Sequence, residues 1–131
     1  MKIKVVSIPV LDQDQALKFY TEKLGFLKKV DVAISQNIRW ITVVSKEDAS
    51  GPEIVLEPSP INFEPAKVYQ KALFDAGIPY TQFHSDDVQA EFERLVKLGV
   101  EFSKAPTEMG TVKVALFNDT CGNHIQLLQL L

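Results

Sequence analysis

The chain has 131 residues, 46% apolar and 24% charged, enough for one domain that buries a core without disulfide or metal staples. Its formal net charge is −3 and its sequence pI is 5.4. This argues against nucleic acid as a partner, because phosphate binding needs a basic face. No stretch approaches the roughly 18 apolar residues of a membrane span, and the lone cysteine, Cys121, makes neither an internal disulfide nor a cysteine metal site.

The start, MKIKVVSIPV, alternates, contains proline and runs into a helix cap, so it reads as a covered strand rather than a signal peptide, and a cytoplasmic location is expected. Asp12 caps a helix, with Gln15 placed to reach back as in a capping box. Leu17, Tyr20 and Leu24 form its inward stripe and Gly25 ends it. Residues 26–34 and 38–44 read as strands around an SQN turn, and 53–57 as a short strand that puts Glu57 on the face opposite Ile54 and Leu56. Pro58, Pro60 and Pro65 interrupt regular structure. A short helix then opens at Pro65, with Ala66, Tyr69, Leu73 and Ala76 on one face and Gly77 behind it.

The second half repeats the first. Residues 78–84 form a strand, Asp86 with Gln89 caps a helix, and Gly99 ends it. Strands follow at 100–103, 112–117 and 124–129, joined by a PTEMG loop, a candidate lid, and an NDTCGN turn. At an offset of 74 residues, Asp12, Gln15, Ala16, Lys23, Leu24 and Gly25 match Asp86, Gln89, Ala90, Lys97, Leu98 and Gly99. The expected organisation is a single domain of module one (1–58), a linker with a short helix (59–77) and module two (78–131), each module being βαβββ.

MKIKVVSIPVLDQDQALKFYTEKLGF, with DTCGNHIQLLQ near the end, resembles the vicinal oxygen chelate superfamily of glyoxalases, extradiol dioxygenases and bleomycin-resistance proteins. The resemblance spans essentially the whole chain. It implies an α+β fold in which two βαβββ modules form a half-open, mainly antiparallel barrel, commonly within a homodimer. In metal-using members each module supplies one ligand from its first strand and one from its last. Carried over, those positions fall on Val5, Glu57, Tyr80 and Gln126. Valine offers no donor and neutral tyrosine is a poor one, whereas a mixed nitrogen–oxygen site needs three or four. The expected cofactor content is therefore none, a divalent metal being the minor alternative.

The remaining candidates are side chains able to line a cleft: Trp40, Thr42, Glu57, Tyr80, Gln82, His124 and Gln126. Aromatic walls, amides and one carboxylate suit a small aromatic or cationic organic molecule. His84 reads as a strand-end residue and Cys121 as a turn residue without a base beside it. Two functions follow. One is a metal-free binding protein like the bleomycin-resistance branch. The other is a lyase, isomerase or dioxygenase that uses Glu57 as acid/base, or His84 or His124 in a rearranged metal site.

Overall fold

A computed structural model describes residues 1–131. Strand β1 (Val5–Pro9) is followed by helix α1 (Gln13–Lys18), which runs on into a wider helical turn at Phe19–Lys23. Strands β2 (Leu27–Ser35), β3 (Ile38–Val44) and β4 (Glu53–Glu57) complete a sheet in the order β1-β4-β3-β2. Helices α2 (Ser59–Asn62) and α3 (Glu64–Asp75) lead to β5 (Pro79–His84), α4 (Val88–Lys97), β6 (Phe102–Met109), β7 (Val112–Asn118) and β8 (His124–Leu130), whose sheet order is β5-β8-β7-β6. In each sheet the first and last strands of the module pair parallel and the other neighbours antiparallel. Two curved four-stranded sheets with their helices make the half-open α+β architecture, with no closed barrel.

A single core lies between the helix-bearing faces of both sheets. Ile8, Ile41 and Leu56 from the first meet Ala115, Phe117 and Ile125 from the second through Ala16, Phe19 and Tyr20 of the first helix and Val88 and Leu95 of α4. Fully burying a side chain of this size contributes roughly 1.5–3 kcal/mol. An exposed ion pair such as Lys71–Asp75 contributes at most about 1 kcal/mol, so the core outweighs the surface charge pattern.

The two helices are similar but not equal in length. Asp12 caps the first by accepting from Gln15 N, and Asp87 caps α4 by accepting from Ala90 N, each at 2.9 Å. The caps stand 75 residues apart, whereas the terminal glycines Gly25 and Gly99, with φ of 82° and 84°, stand 74 apart. The extra residue of the first helix is taken up in the wide turn, where Leu24 N donates to Phe19 O, five residues back. Counting back from Gly99 by the length of the first helix overshoots by one. For that reason the cap is Asp87 and not Asp86. Neither glutamine closes a capping box: Gln15 donates to Thr120 O and Gln89 to Glu93.

Three further expectations are corrected. Pro58 and Pro60 do not abolish regular structure, because Pro60 falls in the first turn of α2, where no N–H is needed. In α3 the inward face centres on buried Gln70 with half-buried Ala66, Leu73 and Phe74, while Tyr69 and Ala76 are exposed. The PTEMG segment is strand rather than loop or lid. As an edge strand, β6 accommodates Pro106 at a register irregularity between Lys104 and Thr107, and the hairpin turns at Gly110–Thr111.

The turn before β8 carries the main polar contact between modules. Asp119 is fully buried. It accepts from Tyr20 Oη at 2.8 Å, Cys121 N at 2.7 Å, Asn123 N at 2.9 Å and Asn123 Nδ2 at 2.8 Å. Asn123 Nδ2 also donates to Pro9 O at 2.8 Å. Gln70 Nε2 lies 3.0–3.2 Å from Pro9 O, Cys121 O and Asn123 Oδ1. At Gly122, φ is +100° and a Cβ would stand 2.7 Å from Gln70 Nε2; the turn therefore excludes a side chain both by conformation and by space. Burial pushes the Asp119 carboxyl upward against the lowering effect of its donors, and burial with Asp119 beside it raises the Tyr20 hydroxyl.

Truncating Asn123 leaves Pro9 O, Asp119 and Gln70 each short of a partner inside the protein. Asn123→Ala is expected to destabilise by about 3 kcal/mol, read as a lower denaturant midpoint with an unchanged slope. Val96→Ala, on the exposed side of α4, should change stability by less than about 0.5 kcal/mol.

Candidate functional site

The strand faces turned away from the core carry the candidate site residues, in two groups. On the first sheet, register places Val5 beside Glu53, Ser7 beside Val55 and Pro9 beside Glu57. Thr42 pairs with Val55 and Trp40 with Val32. Trp40 is 36% exposed, whereas Thr42 is buried and donates to Glu53 Oε2 at 2.8 Å. Glu57 lies half-buried at the end of its strand, where its backbone oxygen accepts from Val10 N at 2.8 Å.

Glu53, which alternation alone does not single out, is the enclosed carboxylate of this face. It is 8% exposed, with Lys29 Nζ at 3.0 Å, Lys4 Nζ at 3.9 Å and the Thr42 hydroxyl upon it. Lys29 stands at a break in the β2–β3 register, between the paired Lys28 and Val30. The hydrogen bond from Lys29, then that from Thr42, holds the Glu53 carboxyl below its ordinary range. A clue was present in the sequence: Glu53 shares the parity of Glu57 in its strand, and only the register reveals that it adjoins Val5.

On the second sheet Gln82 pairs with Gln126 and Leu116 with the same Gln126. Gln126 Nε2 donates to Gln82 Oε1 at 3.1 Å, and Gln82 Nε2 faces His84 Nε2 at 3.1 Å. This amide chain assigns the acceptor role to His84 Nε2, so the neutral His84 ring carries its proton on Nδ1. Tyr80 falls at a register irregularity, and Pro79 is the residue paired with His124. Desolvation, then the nearby Tyr69, raises the Tyr80 hydroxyl. His124 stacks on Phe74 with centroids 4.2 Å apart and planes 11° apart.

The internal symmetry of the fold gives a separate check on equivalence. Val10 N donates to Glu57 O in module one, and Ser85 N to Leu128 O in module two. Stepping back along the strands matches Gln126 with Val55 and His124 with Glu53. The positions of a chelating site, Val5 and Tyr80 with Val55 or Glu57 and Gln126, do not supply the three or four good donors such an ion needs. No group of three or more His, Cys, Asp or Glu side chains converges anywhere in the chain. The residues present do not fit a divalent metal.

A cavity of about 560 Å³ lies elsewhere, between the modules. Phe26, Phe83 and Phe117 are among its apolar lining, and of the histidines and cleft candidates it includes only His84. Several of its polar groups are already committed: Asp87 caps α4, while Arg94 pairs with Glu91 at 2.8 Å and donates to Lys23 O at 2.9 Å. Cys121 is buried, its thiol pushed up to about 12 by burial and then by Asp119, which suits packing and not nucleophilic attack.

Residues 2–127 match the model of the Glyoxalase/Bleomycin resistance protein/Dioxygenase superfamily. The chain belongs to this superfamily. It is 54% identical over 129 residues to YurT of Bacillus subtilis (strain 168), a protein described as uncharacterised, covering 98% of this chain and 99% of that one. Among solved structures it is similar to UcmS2, at 34% identity and a TM-score of 0.83, covering 98% of this chain and 97% of the other. TnmS3, an antibiotic binding protein from Streptomyces sp. CB03234, aligns at 26% identity and a TM-score of 0.74 over 100% of this chain and 97% of its own.

The Glu53 pair makes a pH prediction. A carboxyl held below its unfolded value, near 4.3 for glutamate, contributes stability that is complete above that value. The contribution disappears as pH falls through the lower folded value. Lys29→Ala should therefore lose stability relative to the parent protein at pH 7, with the difference shrinking steadily below about pH 4.3. Denaturant titrations at a series of pH values measure it; a pH-independent difference would assign the loss to packing instead.

Proposed function

We propose that this protein binds a small, flat organic molecule without metal and without chemical turnover, as a binding member of its superfamily. The observation that carries the reading is the composition of the outer sheet faces: aromatic Trp40 and Tyr80, the Gln126–Gln82–His84 amide track, and chelating positions occupied by side chains such as Val5 that hold no ion. The structural likeness to TnmS3, itself an antibiotic binding protein, supports the same reading.

The core joins the helix-bearing faces of the two sheets, so the outer faces do not meet within one chain. They remain apolar where a finished cleft would be covered: Val5 is 40% exposed, Val32 53% and Leu130 71%. A homodimer brings the first sheet of one copy against the second sheet of the other, enclosing the site and covering these residues. Light scattering after gel filtration should give twice the 14.7 kDa of the chain, and Val32→Glu should shift it toward the monomer.

Trp40, the single tryptophan, serves as the reporter. Ethidium, a planar aromatic cation, and 9-fluorenone, a neutral planar ketone, should quench its fluorescence with micromolar affinity for at least one of them, unchanged by EDTA and with the compound recovered intact. A stoichiometric divalent ion in untreated protein together with EDTA-sensitive binding would overturn the metal-free reading. Chemical conversion of a bound compound that is abolished in Glu57→Gln would replace it with the enzymatic one.

A further inference from the structure

The amides on the outer face of the second sheet are paired with one another and with His84, and His124 stands apart from them. It opens β8, two residues before Gln126 and on the same face, while Ile125 and Leu127 between and beyond them point into the core. Phe74 of α3 lies flat against the imidazole and fixes the plane of the ring. His124 Nδ1 is buried and has no hydrogen-bond partner, and it is the one buried side-chain nitrogen or oxygen in the chain so placed. The residue is part-exposed, and Nε2, which has no partner in the chain, is not among the buried unpartnered atoms, so the Nε2 edge faces outward.

Those facts decide the tautomer. A buried N–H left without an acceptor is rarer and more costly than an acceptor lone pair left unused. The neutral ring therefore leaves Nδ1 bare and carries its proton on Nε2. The amide chain beside it is internally occupied, since Gln126 donates to Gln82 and Gln82 to His84. In His84 that last contact favours the opposite tautomer.

We infer that His124 is the specificity-determining donor of the site, presenting Nε2–H to a carbonyl-type oxygen on the bound molecule. The ligand class is thus a flat ring system bearing an acceptor oxygen, in preference to the same ring without one. This deepens the binding reading above and rests on it. The Phe74 stack gives the donor its fixed direction, which is why an unpaired nitrogen on the buried edge is tolerated.

Two measurements test it. Long-range ¹H–¹⁵N correlation spectra of the ligand-free protein, above the titration range of imidazole, should show His124 with the Nε2–H pattern and His84 with the Nδ1–H pattern. With only two histidines in the chain, the His84→Asn variant assigns the signals. Trp40 quenching should then show 9-fluorenone binding about 5-fold more tightly than fluorene, the value of one neutral hydrogen bond, and in His124→Phe the ratio of the two affinities should fall to about one. An Nδ1–H pattern for His124 overturns the inference, as does equal binding of the two compounds or a preference that survives in His124→Phe. Those results leave the general binding reading intact. Failure of fluorenone, fluorene and ethidium alike to bind removes both.

Discussion

The buried carboxylate of Asp119 is the constraint around which the molecule closes. A charge or a polar acid cannot sit at zero exposure unless its oxygens are satisfied, and here the donors come from two parts of the chain. Tyr20 belongs to the first helix, Cys121 and Asn123 to the turn before β8, and through Asn123 the contact extends to Pro9 of β1 and Gln70 of α3. The arrangement fixes how one module sits against the other, because each partner also anchors an element of the shared core. It is also directional, which apolar packing is not. The core would tolerate small slips of one sheet over the other; a set of bonds of 2.7–3.2 Å does not.

The joint fixes which faces are left open. With α1, α4 and the inner sheet faces consumed by the core, the outer faces receive the remaining chemistry, and their contents differ. The first sheet offers an aromatic ring and, further along, a carboxylate paired with Lys29 and hydrogen-bonded by Thr42. The second offers amides, a stacked imidazole and a tyrosine. Such a pairing suits recognition by stacking and hydrogen bonding more than chemistry by a Lewis acid.

Much of the architecture was legible from residue patterns. Asp12, Gly25 and Gly99 mark helix ends through capping and left-handed geometry, and the alternation in the strands follows from burial on one face. What escaped involved spacing or polar burial. The cap at Asp87 was hidden by one additional residue in the other helix. The inward face of α3 was missed because its central residue is a glutamine, which apolar periodicity counts as a surface position. Glu53 was overlooked since strand register is not written in a single strand, and the irregularity at Tyr80 displaces a simple count along β5. The polar joint at Asp119–Asn123 reads as an ordinary turn until its partners, 99 and 114 residues away, are seen.

The placement of Gln70 has a consequence for how the protein comes apart. The linker would ordinarily be the natural hinge of a duplicated domain, a segment that opens while the halves stay folded. Here its central side chain is bonded into both halves at once, and the two halves possess one core between them. Releasing Gln70 breaks bonds to both halves, and because the core is shared neither half has an independent folded reserve to fall back on. The amides of Cys121 and Asn123, both bonded to buried Asp119, are expected to exchange only when the whole molecule opens, with unfolding a single cooperative event despite the repeat in the chain.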